Sequence, residues 1–473
     1  MINVFIILLL LVKIVLCMIV FPFKTTYVNK NGKIDQNNQE SISTHFMNDF
    51  YDRELYTTLE LGNPAQQIKL MLTFDDCGFK VGRAKKCIYE SEYLSHYNKD
   101  VSSDFKFTDL YDLPIREFDT KGCSAVDSIK LFTDLNLKTS KIYKQMDFYL
   151  ANTSDYLCGV IGFKMDKYDN YCQQISAINN FKLEGITENY NWIVKYNSNS
   201  KEEGLVIFGA NWNEIISNYK EENIFPVNSK NVGPQSSWSF DIDEIILYGE
   251  KNRTIYSGTE SWAELDNDIS FFIGNNNYKS YVEEFFDSFF AEKICSENLW
   301  HYQYNEDYYI IECNKEKFGK EQIQNFLSLS FINREYELEI SFKNNELFTE
   351  TKYKYFFNVV FSIHGGSRWI FGKLFFQKYP VMFYSDLKKF DIFIDRSGDE
   401  GNGSKDSKKL SGTAIFLIVL GIIVLLAITG VLFYFLGKNL NKLRKKKANE
   451  LNDEEYDYTS KADLDNKANQ VVN

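Results

Sequence analysis

Residues 56–72 read YTTLELGNPAQQIKLML, two runs of alternating side chains on either side of a short polar stretch. Side chains of a β-strand point alternately to opposite faces of a sheet, so each run predicts a strand. Gly62 and Pro64 lie between the runs and suit a turn, because Gly tolerates unusual backbone angles and Pro fixes φ. The stretch therefore predicts a β-hairpin.

The same alternation recurs through most of the chain between residues 51 and 396. The chain is also rich in Phe and Tyr, which favour strands. Together these features predict a mostly β body. Further examples of the alternating pattern are LYTTLEL (55–61), QIKLMLTF (67–74), GLVIFG (204–209), SFDIDEIILYG (239–249) and KFDIFI (389–394).

One stretch has helical spacing instead. Residues 275–293 place Tyr281, Phe285, Phe289 and Phe290 on one side of a predicted amphipathic helix. It lies between two strand-rich regions. Because the body is longer than one hydrophobic core usually supports, we expect two lobes. Their predicted bounds are residues 51–220 and 221–397.

The amino terminus predicts export. Residues 2–20 form an apolar run, and polar residues follow at Lys24 and Thr25, which predicts a signal peptide over residues 1–20. Lys13 lies inside this run rather than before it, so an uncleaved signal anchor is the alternative.

The carboxyl terminus predicts a membrane anchor. Residues 413–436 carry no charge, and 24 residues at 1.5 Å each extend about 36 Å, enough to span a tilted bilayer. Six basic residues between 438 and 447 mark the cytoplasmic side. We therefore expect a single-pass type I protein of the secretory or endolysosomal pathway or the cell surface. Its stalk would span residues 398–412 and its cytoplasmic tail residues 437–473.

Composition excludes several function classes. The net charge of −12 argues against nucleic-acid binding, which depends on clustered positive charge. With only four His, no metal site is expected. No phosphate loop or dinucleotide fingerprint is present, so no cofactor is expected either.

Cysteine usage and glycosylation motifs agree with an exported body. Seven Cys follow the predicted signal peptide and none lies in the predicted tail. Cys77 with Cys87 and Cys158 with Cys172 are plausible local pairs, which would leave Cys123 unpaired. Asn-x-Ser/Thr motifs typical of exposed loops begin at Asn152, Asn252 and Asn402.

Four segments, in this order, resemble the pepsin family of aspartic endopeptidases. They are YTTLELGNPAQQIKLML (56–72), YLCGVIGF (156–163), NWIVKYNSNSKEEGLVIFGANW (191–212) and RWIFGKLFFQKYPVMFYSDLKKFDIFI (368–394). The resemblance covers about residues 54–396. It implies an all-β, bilobal fold with an interlobe cleft that binds an extended peptide or protein. It also implies that each lobe contributes one Asp-Thr-Gly or Asp-Ser-Gly loop.

In the second half, AELDNDISFFIG (263–274) resembles the family's catalytic segment without a gap. This alignment places Asp266 at the catalytic carboxylate, with Asn267 at the Thr position and Asp268 at the Gly position. Asp268 adds a third potential charge and a Cβ where the family has Gly. Asp266 is thus either a surviving catalytic acid or a polar turn residue.

The first catalytic position departs further from the family. Counting from Gly62 without gaps places Thr73 there, and a Thr hydroxyl does not ionise near neutral pH. A two-residue slip would supply Asp75 and keep the same strand face. A three-residue slip would supply Asp76 and invert the face unless a bulge compensates.

Two further sites follow from the resemblance. Tyr111 is the nearest match to the Tyr of the family's flap, although the Gly-rich hairpin that should follow it is missing. Cys295 and Cys313 bracket a short hairpin and resemble the family's second-lobe disulfide.

Two functions are consistent with this pattern. The first is a membrane-anchored homologue that has lost proteolysis and binds peptide or protein in its cleft. The second is an active endopeptidase that uses Asp266 with Asp75 or Asp76 to activate water. A purely structural surface protein would differ from the first in lacking a ligand in the cleft.

Overall fold

A computed structural model describes most of the region between residues 18 and 395. All the residues described belong to the first of two compact units, residues 1–396. No helix among them is long and apolar enough to cross a membrane. The predicted stalk, membrane span and tail lie outside the described residues. The described ranges are 18–27, 53–74, 76, 78–82, 97–109, 122–151, 159–163, 176–187, 189–198, 200–217, 219–230, 238–249, 253–256, 261–302, 306–363 and 368–395.

The largest sheet has thirteen strands in the order β11-β26-β25-β9-β10-β1-β2-β3-β8-β4-β7-β6-β5. It combines strands from the first half of the chain with three from the second predicted lobe. Its strands are β1 (Ile19–Tyr27), β2 (Arg53–Leu61), β3 (Gln66–Thr73), β4 (Phe79–Gly82), β5 (Lys106–Asp109), β6 (Gly122–Phe132), β7 (Ser140–Ala151), β8 (Gly159–Gly162), β9 (Asn191–Asn197), β10 (Ser200–Phe208), β11 (Ile224–Asn228), β25 (Val381–Tyr384) and β26 (Lys389–Phe393).

The remaining strands form a nine-stranded and a four-stranded sheet. The nine-stranded sheet contains β12 (Ser239–Asp241), β15 (Trp262–Leu265), β16 (Phe272–Asn275), β17 (Cys295–Tyr302), β18 (Glu306–Asn314), β21 (Phe348–Glu350), β22 (Lys354–Phe357), β23 (Val359–Ser362) and β24 (Arg368–Phe371). The four-stranded sheet contains β13 (Glu244–Tyr248), β14 (Arg253–Tyr256), β19 (Ser328–Asn333) and β20 (Leu338–Phe342).

The α-helices among the described residues are short. They are α1 (Ala177–Leu183), α2 (Trp212–Ile215), α3 (Lys279–Glu283), α4 (Asp287–Ala291), α5 (Lys320–Gln324) and α6 (Lys373–Lys378). Short 3₁₀ turns span Glu221–Asn223, Asn276–Tyr278 and Asn344–Glu346. The predicted all-β class is confirmed.

The predicted hairpin at residues 56–72 forms as expected. β2 pairs antiparallel with β3, from Leu55 opposite Leu72 to Leu61 opposite Gln66. Gly62 adopts a φ of 90°, which favours Gly over residues with a Cβ. On β3, Ile68 and Leu70 point into the core and are fully buried. Burial of each such side chain contributes roughly 1.5–3 kcal/mol to stability.

The stretch 239–249, predicted as one strand, forms two. β12 and β13 belong to different sheets, and the chain turns between them at Ile242 and Asp243. The amide of Ile242 donates to the carbonyl of Ser261 (2.9 Å), and that of Asp243 to the carbonyl of Ile332 (2.8 Å). The alternating pattern is continuous across this turn because both strands have one buried face.

The helix predicted at 275–293 is broken into α3 and α4. Between them the amide of Phe286 donates to the carbonyl of Glu283 (2.7 Å), an i to i−3 bond that tightens the turn. This turn buries Phe286 completely, against Phe290 and Phe326. The predicted apolar face is therefore wrong in part, since Tyr281 is exposed.

The first described strand overlaps the predicted signal peptide. Ile19 and Val20 are fully buried in β1, opposite Phe208 and Ile207 of β10. Cleavage after residue 20 would remove two residues from a central strand of the largest sheet.

Candidate active site

Two equivalent strand arrangements position the candidate site. β8 pairs parallel with β3 and antiparallel with β4. In the second half of the chain, β24 pairs in the same way with β15 and β16. One loop follows β3 at Thr73, and another follows β15 at Asp266. We call the described residues 73, 74, 76 and 78 the first loop and residues 266–268 the second loop.

Main-chain hydrogen bonds fix both loops. The amide of Phe163 donates to the carbonyl of Thr73 (2.9 Å), and the amide of Asp266 donates to the carbonyl of Phe371 (3.1 Å). Gly372 lies behind the second loop, where a Cβ would come within 2.3 Å of the Phe271 carbonyl oxygen and 2.4 Å of the Ile269 carbonyl oxygen. Only Gly fits there without displacing the backbone.

The two loops meet through the carboxylate of Asp268. The hydroxyl of Thr73 donates a short hydrogen bond to Asp268 Oδ2. The amide of Phe74 donates to the same oxygen (2.8 Å). The amide of Asp268 in turn donates to Asp266 Oδ1 (2.9 Å). Asp266, Asp268 and Thr73 therefore form one hydrogen-bonded chain across the site.

Asp76 is held inside the first loop. Its side chain is buried and accepts hydrogen bonds from the amide of Gly78 (3.1 Å) and from Lys80 Nζ (2.5 Å). Lys80 is also buried, so the contact is an internal ion pair. Asp75 and Tyr111, the other candidates, lie outside the described residues.

Asn267, at the family's Thr position, is bonded to β9. It is completely buried, and its Oδ1 accepts a hydrogen bond from the hydroxyl of Tyr196 on β9 (2.9 Å). Burial raises the pKa of Tyr196 far above its usual range, and the negative charge of Asp268 adds to the rise. Tyr196 is therefore a neutral donor at physiological pH.

Phe74 supplies aromatic packing where the family resemblance places a Thr. Its ring lies 5.4 Å from those of Trp192 and Phe376, and 5.9 and 5.8 Å from those of Phe163 and Phe383. Such aromatic pairs contribute beyond the area they bury. The floor of the site is thus held by an aromatic cluster and by the Asp268 bridge.

Lys373 is a buried lysine that contacts the second loop. It is 3% exposed, at the start of α6. Its amide donates to the carbonyl of Ile269 (2.7 Å), and its Nζ approaches the carbonyl of Asp268 at 3.4 Å. A buried ammonium therefore contacts the loop that carries Asp266 and Asp268.

Other predicted sites differ in outcome. The disulfide between Cys295 and Cys313 is confirmed, and it joins opposite residues of β17 and β18. The predicted glycosylation sites Asn152, Asn252 and Asn402 lie outside the described residues. Across the described ranges, no group of three or more His, Cys, Asp or Glu is arranged to hold a metal ion.

This arrangement differs from a centre in which two carboxylates share one water. That chemistry needs one protonated and one ionised carboxyl at a single site. Here the contact between the loops joins a Thr hydroxyl to a carboxylate. Sequence reasoning identified Asp268 as an extra charge but missed its bond to Thr73. The sequence shows both departures from the family pattern, the Thr at position 73 and the Asp at position 268. The signal that was missed is that these two side chains could bond to each other.

Comparison with known proteins supports the same fold. The chain matches the family Eukaryotic aspartyl protease over residues 54–392. It is similar to basic 7S globulin from soybean, with 9% identity and a TM-score of 0.51, over 81% of this chain and 98% of that one. It is also similar to conglutin gamma, a basic 7S globulin from lupine seeds, with 11% identity and a TM-score of 0.52, over 80% and 94%. No curated protein matches the chain. The family match spans most of the sequence, and the chain therefore belongs to the eukaryotic aspartyl protease family.

Proposed function

We propose that this chain is a catalytically impaired aspartic-protease homologue that binds a peptide or protein in the cleft between two lobes. The observation that carries the proposal is the Asp268 bridge. Its carboxylate accepts hydrogen bonds from both Thr73 and Phe74, so the contact between the two loops is made by a hydroxyl and a carboxylate and not by two carboxylates that share a water. A Thr hydroxyl does not act as the second carboxylate at neutral or acidic pH.

The substitutions at both loops support loss of activity. Thr73 stands at the first catalytic position, and Asp76 forms a buried ion pair with Lys80. Loss of one member of a catalytic pair typically costs several orders of magnitude in rate. Among the described residues, the strands next to both loops pair in the same way, so the scaffold that holds the loops is retained.

The proposal includes the location of the protein. The apolar run at 413–436 and the basic residues after it support a type I membrane anchor. The disulfide between Cys295 and Cys313 supports an oxidising compartment. We propose that the family domain faces the lumen or the cell exterior.

Peptide cleavage by the full-length protein tests this proposal. The purified protein would be incubated with an unbiased peptide library between pH 3 and 7, beside Asp266→Asn, Asp76→Asn and Asp386→Asn variants. Asp386 is exposed on the turn between β25 and β26. Its variant therefore controls for the replacement of an Asp by Asn away from the candidate site. We expect no cleavage by any of the four proteins.

Cleavage that is lost in Asp266→Asn and kept in Asp386→Asn would refute the proposal in favour of an active endopeptidase. Its additional loss in Asp76→Asn would identify the second carboxylate. Binding is tested separately, by enrichment of peptides from the same library on the immobilised protein. Enrichment that an excess of unlabelled selected peptide abolishes would support the cleft-binding role.

A further inference from the structure

A cavity of about 970 Å³ lies on the largest sheet, where β1, β2, β6, β9 and β10 contribute to its lining. Pockets that hold small molecules have volumes of about 300–1,000 Å³. Lys195 of β9 lines this cavity. Because side chains alternate along a strand, Lys195 lies on the face of β9 opposite to Tyr196, whose hydroxyl donates to Asn267 at the candidate active site. The cavity is therefore separate from that site.

Part of the lining is apolar. The strand register places Lys195 of β9 opposite Leu205 of β10, and Leu205 opposite Pro22 of β1, so these three residues form a row across adjacent strands. Leu205 is partly buried and packs against an apolar cluster that contains Val20. Three more side chains that line the cavity pack against the same cluster, at the end of β6 and just after it: Phe132, Leu135 and Leu137.

The rest of the lining carries positive charge. Among the described residues, the charged side chains around the cavity are four lysines and two glutamates, a net charge of +2 in a chain whose net charge is −12. Both glutamates are already paired, Glu203 with Lys24 (2.8 Å) and Glu60 with Lys130 (3.0 Å). The other two lysines are Lys69 and Lys195. This balance favours an anionic ligand.

Lys195 is the lysine whose surroundings point most directly to an anion. It is half-buried, and its Nζ donates to the main-chain oxygen of Ile215 (2.7 Å), which is a neutral acceptor. Within the described part of the chain no carboxylate pairs with it, and burial lowers its pKa. Burial of an ammonium is costly unless negative charge compensates it. A bound anion would supply that charge.

We propose that this cavity binds a small amphiphilic anion, a free carboxylic acid with an aliphatic chain, whose carboxylate contacts Lys195 and whose chain lies over Leu205 and Pro22. The lysines favour the carboxylate, and the apolar lining favours the chain. A carboxylate without a chain would bury too little apolar surface, and a cationic amphiphile would meet net positive charge. The site goes beyond the proposed function, which concerns peptide binding in the cleft.

Protection of Lys195 from acetylation tests the proposal, with decanoate as the probe. The full-length protein in nanodiscs of zwitterionic lipid would be treated with an acetylating reagent, and mass spectrometry would give the rate at each lysine. Only the neutral amine reacts, and a carboxylate beside Lys195 favours the unreactive ammonium and blocks access. We expect decanoate to slow acetylation of Lys195 about tenfold. Lys315, which pairs with Glu350 away from the cavity, should be unaffected.

Two further probes separate the head group from the chain. Acetate has the carboxylate without the chain, and decyltrimethylammonium has the chain with the opposite charge. Neither should protect Lys195 at the concentration at which decanoate does. Equal protection by acetate would indicate a simple anion site, and equal protection by decyltrimethylammonium would indicate apolar association alone. Either result would overturn the proposal, as would the absence of protection by decanoate.

A variant of the apolar lining completes the test. Leu205→Gln keeps Lys195 and makes part of the lining polar, so half-maximal protection should require about tenfold more decanoate. Leu299→Gln, at an exposed position on β17, is the matched control and should leave the requirement unchanged. An equal requirement in both variants would contradict the proposal. If Leu205→Gln does not fold, the three probes on the unaltered protein still decide. The readout does not involve peptides, so its failure is distinct from failure of the proposed function.

Discussion

The bond between Thr73 and Asp268 is the contact that most distinguishes this site, and a double-mutant cycle measures it. The perturbations are Thr73→Val, which keeps the shape and removes the hydroxyl, Asp268→Ala, and the two combined. Each single variant removes the same hydrogen bond from a different side. If the bond exists, the second substitution costs less once the first is present.

The expected coupling follows from the geometry. Thr73 is 4% exposed and its hydroxyl donates to a carboxylate, and hydrogen bonds to charged groups contribute about 1.5–3 kcal/mol. Asp268 is half-buried, so solvent screens part of its charge, and the lower end of this range applies. Asp268→Ala alone should cost more, since it also removes the bond from the Phe74 amide (2.8 Å). We expect a coupling energy of about 1.5 kcal/mol.

Urea unfolding of all four proteins, followed by tryptophan fluorescence, supplies the free energies. Trp192 packs 5.4 Å from Phe74, so the combined emission of the six tryptophans includes one that lies at the site. The slopes of the four transitions must agree, because a changed slope would mean a changed unfolded or native state. Additive effects of the two substitutions, to within about 0.5 kcal/mol, would refute the bridge.

Three further predictions concern the surroundings of the site. Phe74→Ala should destabilise the protein by about 3 kcal/mol, because it opens a cavity in the aromatic cluster; urea unfolding measures this, and a cost below about 1 kcal/mol would contradict the packing. Replacement of Cys295 and Cys313 by Ala should cost about 3 kcal/mol, since the bond closes a loop with a sequence separation of 18; a reductant should then lower the Tm of the wild type more than that of the variant. Burial and a hydrogen bond to Glu283 raise the pKa of Glu297, so its contribution to stability is present at low pH and is lost as the pH rises. Glu297→Gln should therefore gain in Tm relative to the wild type between pH 4 and 7, and an unchanged difference would contradict this assignment.

Local patterns predicted much of the fold. The hairpin at 56–72 was predicted correctly because both of its strands have one buried face and the turn contains Gly62. The disulfide between Cys295 and Cys313 followed from the family resemblance. The broken helix was missed because Phe286 lies between two helical turns, and no Pro or Gly marks the break.

The site was harder to predict than the scaffold. Asp266, Asp268 and Thr73 were all singled out from the sequence, but Thr73 and Asp268 are 195 residues apart. No local periodicity relates two such positions, and the contact depends on how both loops emerge from their sheets. Lys373 was missed for the same reason. The residues around it in the sequence indicate the start of a helix, and no local pattern relates them to the loop that Lys373 contacts.

The position of β1 affects the order of events during synthesis. Its residues Lys24–Tyr27 pair with β2, which the ribosome makes soon afterwards. Its residues Ile19–Lys24 pair with β10, and their partners there are Glu203 to Phe208. At 5–20 residues per second, a ribosome needs roughly 10–40 s to make the intervening chain. Through that interval one edge of an apolar strand has no partner in the sheet and is a template for association with other chains. A chaperone that engages the first 30 or so residues would protect the chain until β10 is made.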